Sequence, residues 1–277
     1  MGASVVVTGA NRGIGLETAL QLAAAGYDVI GTVRSKDKAR ALLRAAGARG
    51  LALRSVLLDV ADAASTERGF AEIAELTGGG PWAVVNNAGF AQGGAVADVD
   101  DAAVREQLEV NLVAPARIAR LVLPAMRERG EGRIVNVSSI AGRVSLPLLG
   151  WYCASKHGLE AMTDALRMEV ARYGVKVVLV EPGSFATGIW GDARYPEQAA
   201  TGEYAAAYRQ ARTATARLTA IMPGPWLVAR TVRLALTSRR PLARYLVGID
   251  AVSGVVAERL APTAVTDRVK ELVAGVR

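Results

Sequence analysis

The chain has 277 residues, 51% hydrophobic and 21% charged, which suits one large folded unit and excludes a disordered chain. Its net charge of +7 comes from arginines scattered along the sequence without a dense basic run, so it reads as a solvated basic surface, and no nucleic-acid partner is expected. One cysteine (Cys153) and one histidine (His157) exclude an intrachain disulfide and a Cys/His metal cluster, and no Gly-x-Ser-x-Gly elbow supports a hydrolase.

In chain order, the first apolar run, Ser4-Val5-Val6-Val7, starts with no basic region before it, so no signal peptide is expected. Val6 stands where a myristoylation motif wants Ser or Thr. No later apolar run reaches the roughly 18–20 residues that span a bilayer. With the single cysteine, a cytoplasmic location is the expectation.

Strands are predicted at Ser4–Thr8, Asp28–Val33, Leu51–Leu58, Trp82–Asn86, Gly132–Ser138, Val175–Glu181 and Arg244–Gly248. Helical patterns lie between them, near 14–25, 36–46, 62–76, 101–129 and 152–173. In the last, Leu159, Met162, Leu166 and Val170 form one apolar stripe. Pro115 and Pro124 predict a kink or an early end in the long helix 101–129. The alternation predicts an α/β fold with a parallel sheet covered on both faces. It breaks at Pro182–Pro225, where Phe185, Trp190, Tyr195, Tyr204, Tyr208 and nearby Trp226 are six of the fourteen aromatics. An insertion at the end of a strand sits where such sheets bind ligands, so 184–226 is read as a substrate lid, against plain packing or subunit contact.

The first strand runs into Thr8-Gly9-Ala10-Asn11-Arg12-Gly13-Ile14-Gly15 and then a helix. Glycines there permit positive φ and close backbone approach, and the helix N-terminus offers N–H groups to a phosphate. The second strand ends Thr32-Val33-Arg34-Ser35, without the carboxylate that NAD sites use for the ribose hydroxyls. Arg34, with Arg12 in the glycine turn, favours the 2′-phosphate of NADP.

Tyr152 and Lys156, four apart at a helix start, share a face. A phenol titrates near ~10, and a neighbouring ammonium draws it toward neutrality. Ser138-Ser139 closes the fifth strand, and Asn86-Asn87-Ala88-Gly89 follows the fourth.

With these motifs in this order, the chain resembles a single-domain short-chain dehydrogenase/reductase over almost its whole length. The resemblance implies one Rossmann-type, doubly wound domain of about seven strands, with a cofactor half at about 1–150 and a catalytic and substrate half at about 151–277. It implies Asn111, Ser139, Tyr152 and Lys156 as catalytic residues. The implied NADP(H)-binding set is Gly9, Asn11, Arg12, Gly13, Ile14, Gly15, Arg34, Asp59, Val60, Asn87, Ala88, Gly89, Tyr152, Lys156, Pro182, Gly183 and Thr187. Asn86 supports the sheet and Asp59 caps the adenine end. Tyr152 then protonates a carbonyl oxygen that Ser139 orients, Lys156 lowers the phenol and holds the nicotinamide ribose, and Asn111 supports a relay water. Cys153 and His157 are read as packing or surface residues.

Wording such as Tyr-Cys-Ala-Ser-Lys-His-Gly-Leu-Glu is similar to a branch with steroid and retinoid dehydrogenases, implying a bulky apolar ketone or alcohol. A homodimer or homotetramer built on the helices 101–129 and 152–173 is implied as well. A redox sensor of the same fold would be expected to lose the Tyr/Lys pair. An epimerase would show a different glycine spacing and a larger C-terminal part.

Overall fold

The computed structural model describes residues 2–189, 193–196 and 200–276. The valine-rich runs form seven strands: β1 (Ser4–Thr8), β2 (Asp28–Val33), β3 (Arg54–Leu57), β4 (Ala83–Asn86), β5 (Gly132–Val137), β6 (Val175–Pro182) and β7 (Arg244–Val247). All pair in parallel, in the order β3-β2-β1-β4-β5-β6-β7. The chain winds outward from β1 to β3 and then returns to β4 beside β1. This reversal leaves a crevice at the C-terminal ends of β1 and β4, where ligands bind in such sheets.

Successive strand residues face opposite sides, and both sides are dry. Val5, Val7, Val85, Val135 and Val178 pack under α1 (Gly13–Ala24) and α8 (Trp226–Thr237). Val6, Ile30, Val84, Ile134 and Val177 pack under α3 (Ala63–Thr77) and α5 (Ala114–Arg129). This explains strands that read as continuous apolar runs. Side-chain oxygens of Ser35, Asp62 and Asp100 cap α2 (Lys36–Gly47), α3 and α4 (Asp101–Leu108).

Three expectations change. β3 starts at Arg54 rather than Leu51, because the Leu51 amide bonds back to Ala46 at the end of α2. The long helix does not stop at Pro124, which is exposed with Arg120, so the carbonyl left without a donor turns to water. The irregularity falls instead at Glu109–Val113, one π-helical turn just before Pro115. Beyond α6 (Gly150–Val170) the sequence reading named no helix, yet α7 (Ala205–Thr219), α8, α9 (Ile249–Leu260) and α10 (Thr263–Ala274) are formed. Ala, Thr and Arg carry much of α7, so no apolar stripe marks it.

Candidate active site

The glycine turn joins β1 to α1. Gly9 and Gly13 have φ of +65° and +55°, which L side chains adopt only with strain. A Cβ on Gly13 would sit 2.7 Å from the Thr187 carbonyl oxygen, and one on Gly9 3.1 Å from the Ala88 Cα. No side chain among the described residues caps α1, so its first amides point into the crevice as an anion seat. Across the crevice, the Thr8 hydroxyl accepts the amides of Asn87 (3.0 Å) and Ala88 (2.9 Å), and Asn87 Nδ2 returns a bond to the Thr8 carbonyl (2.9 Å). Asn86 donates to Asn136 (2.8 Å) and Asn136 to Thr163 (2.8 Å), a buried polar chain from β4 through β5 to α6.

On the facing wall, Ser139 leaves β5 and caps a single 3-10 turn, Ile140–Gly142, accepting the Ala141 amide at 3.1 Å. Leu148 follows in a left-handed conformation, φ +61°, its carbonyl held by the Gly94 amide at 2.7 Å. Such strain beside a ligand cleft persists only where the surroundings enforce it. α6 then carries Tyr152 and Lys156 on one face, both buried. Lys156 Nζ donates to the Val137 carbonyl (3.0 Å) and lies 6.0 Å from the Tyr152 ring centre.

Burial pushes the Tyr152 phenol up to about 12, while a hydrogen bond from Ser139 works the other way. Burial also lowers the Lys156 ammonium to about 8, with Glu160 opposing. The expected phenol drawn toward neutrality by Lys156 is therefore not found. Desolvation dominates, and the phenol keeps its proton at neutral pH.

These residues line one cleft of about 420 Å³, within the range of small-ligand sites. Of the expected set, Asn11, Arg12, Ile14, Arg34, Asp59, Val60, Gly89, Pro182, Gly183 and Thr187 line it, with the glycines and catalytic side chains above. Two do not reach it. Gly15 lies beneath, where its missing side chain leaves room for Asn87. The Asn111 side chain is committed to the Phe90 carbonyl (3.0 Å), the Phe90 amide (3.2 Å) and Ser155 Oγ (3.1 Å), which itself holds the Tyr152 carbonyl at 2.7 Å. That side chain fixes the first turn of α6 and is not open to a water. Its main-chain carbonyl gets no i+4 donor, because Pro115 has no N–H.

The Arg12 guanidinium reaches toward Gly188, 3.7 Å from where a Cβ would stand there. Lys38, which no sequence motif singles out, joins Arg34 along the cleft. Its signal was the spacing: four residues after Arg34, in the first turn of a capped helix. The adjoining residue in sequence, Asp37, is exposed and paired with Arg40. Of the lid aromatics, Phe185 lines the cleft. Tyr208 is buried and bonded to the Ala95 amide (2.8 Å) and Asp98 (2.7 Å), with Tyr195 edge-on to it. Trp226 is exposed at the start of α8, and Trp190 lies outside the described residues. Cys153 is buried beside Tyr152, and His157 is exposed, its ring bonded to the Cys153 carbonyl.

The sequence profile described as short chain dehydrogenase matches residues 3–198. The chain belongs to the short-chain dehydrogenase family. It is 34% identical to the uncharacterized oxidoreductase YbbO of Escherichia coli, over 96% of this chain and 93% of that one. It is 32% identical to an NADPH-dependent 3-dehydrocapnine reductase of Ornithobacterium rhinotracheale, over 95% and 94%. A solved short-chain dehydrogenase/reductase of Burkholderia phymatum in complex with NAD superposes with a TM-score of 0.80 at 26% identity, over 93% of each chain. The protein is thus an oxidoreductase with the Rossmann-type fold of this family. Its cleft suits a dinucleotide: glycines at 9 and 13 whose side chains would fill the cradle, uncapped amides on α1, and the cations Arg12, Arg34 and Lys38 in its lining. No helix among the described residues is long and apolar enough to cross a membrane.

Proposed function

We propose that the protein is an NADPH-dependent carbonyl reductase/alcohol dehydrogenase acting on a bulky, apolar ketone or alcohol. The observation that carries this reading is the gathering of Ser139, Tyr152 and Lys156 on one wall of the cleft, with the glycine turn on the other. When bound, NADPH supplies the hydride. The chain's own residues do the rest. Ser139 and Tyr152 hold the substrate oxygen, and the protonated phenol gives its proton to that oxygen as negative charge develops. Lys156, still charged below about pH 8, steadies the phenolate left behind and holds the nicotinamide ribose. Asn111, through Ser155, positions the first turn of α6, and its main-chain carbonyl supports the water that returns the proton.

NADPH over NADH is supported by three cations, Arg12, Arg34 and Lys38, and by the lack of a carboxylate at Val33. An apolar substrate is supported by Phe90, Phe185 and Ile189 in the wall. A homodimer or homotetramer in the cytoplasm completes the proposal. The test follows NADPH and NADH oxidation against bulky and small ketones, aldehydes and quinones, with Tyr152→Phe alongside. Turnover with NADPH that vanishes in the variant is expected. Turnover surviving in the variant would overturn the proton donor, and preference for NADH would overturn the cation argument.

A further inference from the structure

Behind Tyr152 and Lys156 lies a set of ionisable groups that this chemistry does not use. Glu160 is one helical turn beyond Lys156 on α6 and is buried. Glu181, just before Pro182-Gly183 on β6, is wholly buried. Arg244 Nε, on β7, lies 3.2 Å from Glu160 Oε2 and 3.1 Å from Glu181 Oε1, but its single N–H is directed at Glu160. The same guanidinium also bonds Asp164, which holds Arg167. Arg143, after the 3-10 turn, comes no nearer to Glu181 than 3.5 Å. Among the described residues, both oxygens of Glu181, Oε1 of Glu160 and the Ser138 hydroxyl therefore find no directed hydrogen bond. Ser138 Oγ and Glu160 Oε1 both border the space kept open by Gly142, at 2.8 and 3.2 Å from its Cβ position.

Two buried carboxylates around one guanidinium N–H are costly, and a proton held between them removes one charge and supplies a donor. The charged groups facing the pair are Lys156, Asp164 and Arg167 from α6, Arg143 from the turn and Arg244 from β7. Asp250, on α9, is committed to the Ser184 amide.

We propose that Glu160 and Glu181 share one proton, and that Glu160, one helical turn from Lys156, is a positioning residue that keeps the Lys156 ammonium charged. The second half rests on the role of Lys156 proposed above. Burial, then Glu160, pushes Glu181 up to about 7, and Glu160 opposes the lowering of Lys156. The pair also ties the strand end that carries Pro182-Gly183 to the helix that carries Tyr152.

Two measurements on the full-length protein test this. The first follows thermal midpoints of wild type and Glu181→Gln from pH 5 to 8. A carboxyl that holds its proton to about 7 when folded, against an ordinary 4.5, costs the folded state more as pH rises between those values. The midpoint of Glu181→Gln therefore gains on wild type from pH 5 to 7 and levels off above 7. A difference that is constant with pH, or that shrinks, overturns the shared proton. The second follows the alkaline limb of kcat with NADPH and a reducible ketone. In Glu160→Gln the limb moves down by about one pH unit, the effect of removing one nearby carboxylate. An unmoved limb overturns the positioning role, whatever the midpoints do. If Glu160→Gln does not fold, Glu160→Asp moves the limb the same way by less, and an unmoved limb has the same meaning. If no ketone turns over, the functional reading fails on its own. The Lys156 titration is then followed by NMR of 13C-labelled lysine in the same variants, with the same outcomes deciding.

Discussion

Between Thr8 and Gly15 the cleft is walled by backbone, whereas between Ser139 and Lys156 it is walled by buried side chains. In the first wall function lies in what is missing: no Cβ at Gly9 and Gly13, no cap on α1. In the second it lies in what burial does to the groups present, raising the phenol to about 12 and lowering the ammonium to about 8. The difference teaches that the two walls should fail differently. Damage to the first should show in dinucleotide affinity, and damage to the second in turnover at unchanged affinity.

The largest expected effect comes from Tyr152→Phe. Loss of a positioned proton donor costs about 10²–10⁴-fold in kcat, with NADPH affinity by fluorescence titration little changed. A matching loss of affinity would break the division between the walls. Next is Gly13→Ala. The left-handed φ costs about 1–2 kcal/mol, and the Cβ must also displace the Thr187 carbonyl. NADPH Kd should rise about tenfold or more, with kcat at saturation nearly kept. Arg34→Ala sharpens the same wall. Losing a charge-assisted phosphate contact worth about 1.5–3 kcal/mol raises KM for NADPH about ten- to a hundredfold, and KM for NADH should hardly move.

The smallest effect concerns pH. The folded pKa of Lys156 is below its ordinary 10.5, so between about 8 and 10.5 an unfolded chain holds a proton that the folded one has lost. Stability should therefore gain with pH in that window relative to Lys156→Met, seen as a wild-type thermal midpoint that rises against the variant's, while kcat of wild type falls as pH climbs through about 8.

Much of this was legible in the sequence because the wall of backbone is written in glycines and the sheet in valines. β1, β2 and β6 fall almost where the apolar runs lie. The C-terminal helices were not legible, since Ala205–Thr219 buries Ala207 and Tyr208 without a repeating apolar stripe, and the helix propensity of its alanines and arginines, not periodicity, makes it a helix. Lys38 was missed because a lysine in a first turn resembles any solvated charge. Glu160 and Glu181 stand 21 positions apart, and only the pairing of α6, β6 and β7 around Arg244 brings them together. Asn111 was assigned by position, and only the fold reveals that its side-chain amide is consumed by Phe90 and Ser155.

The strand order also bears on how the protein is made. β1 is flanked by β2, which follows it directly, and by β4, which comes only after β3 and α3. The bond between the Thr8 hydroxyl and the Asn87 amide spans 79 residues. A nascent chain leaving the ribosome thus carries Val5, Val6 and Val7 on an unpaired strand edge until Asn86 has been translated. Such an edge invites pairing with neighbouring chains. Fast, hot expression should send the protein into inclusion bodies even when the finished fold is stable, and slower synthesis at lower temperature should return it to the soluble fraction.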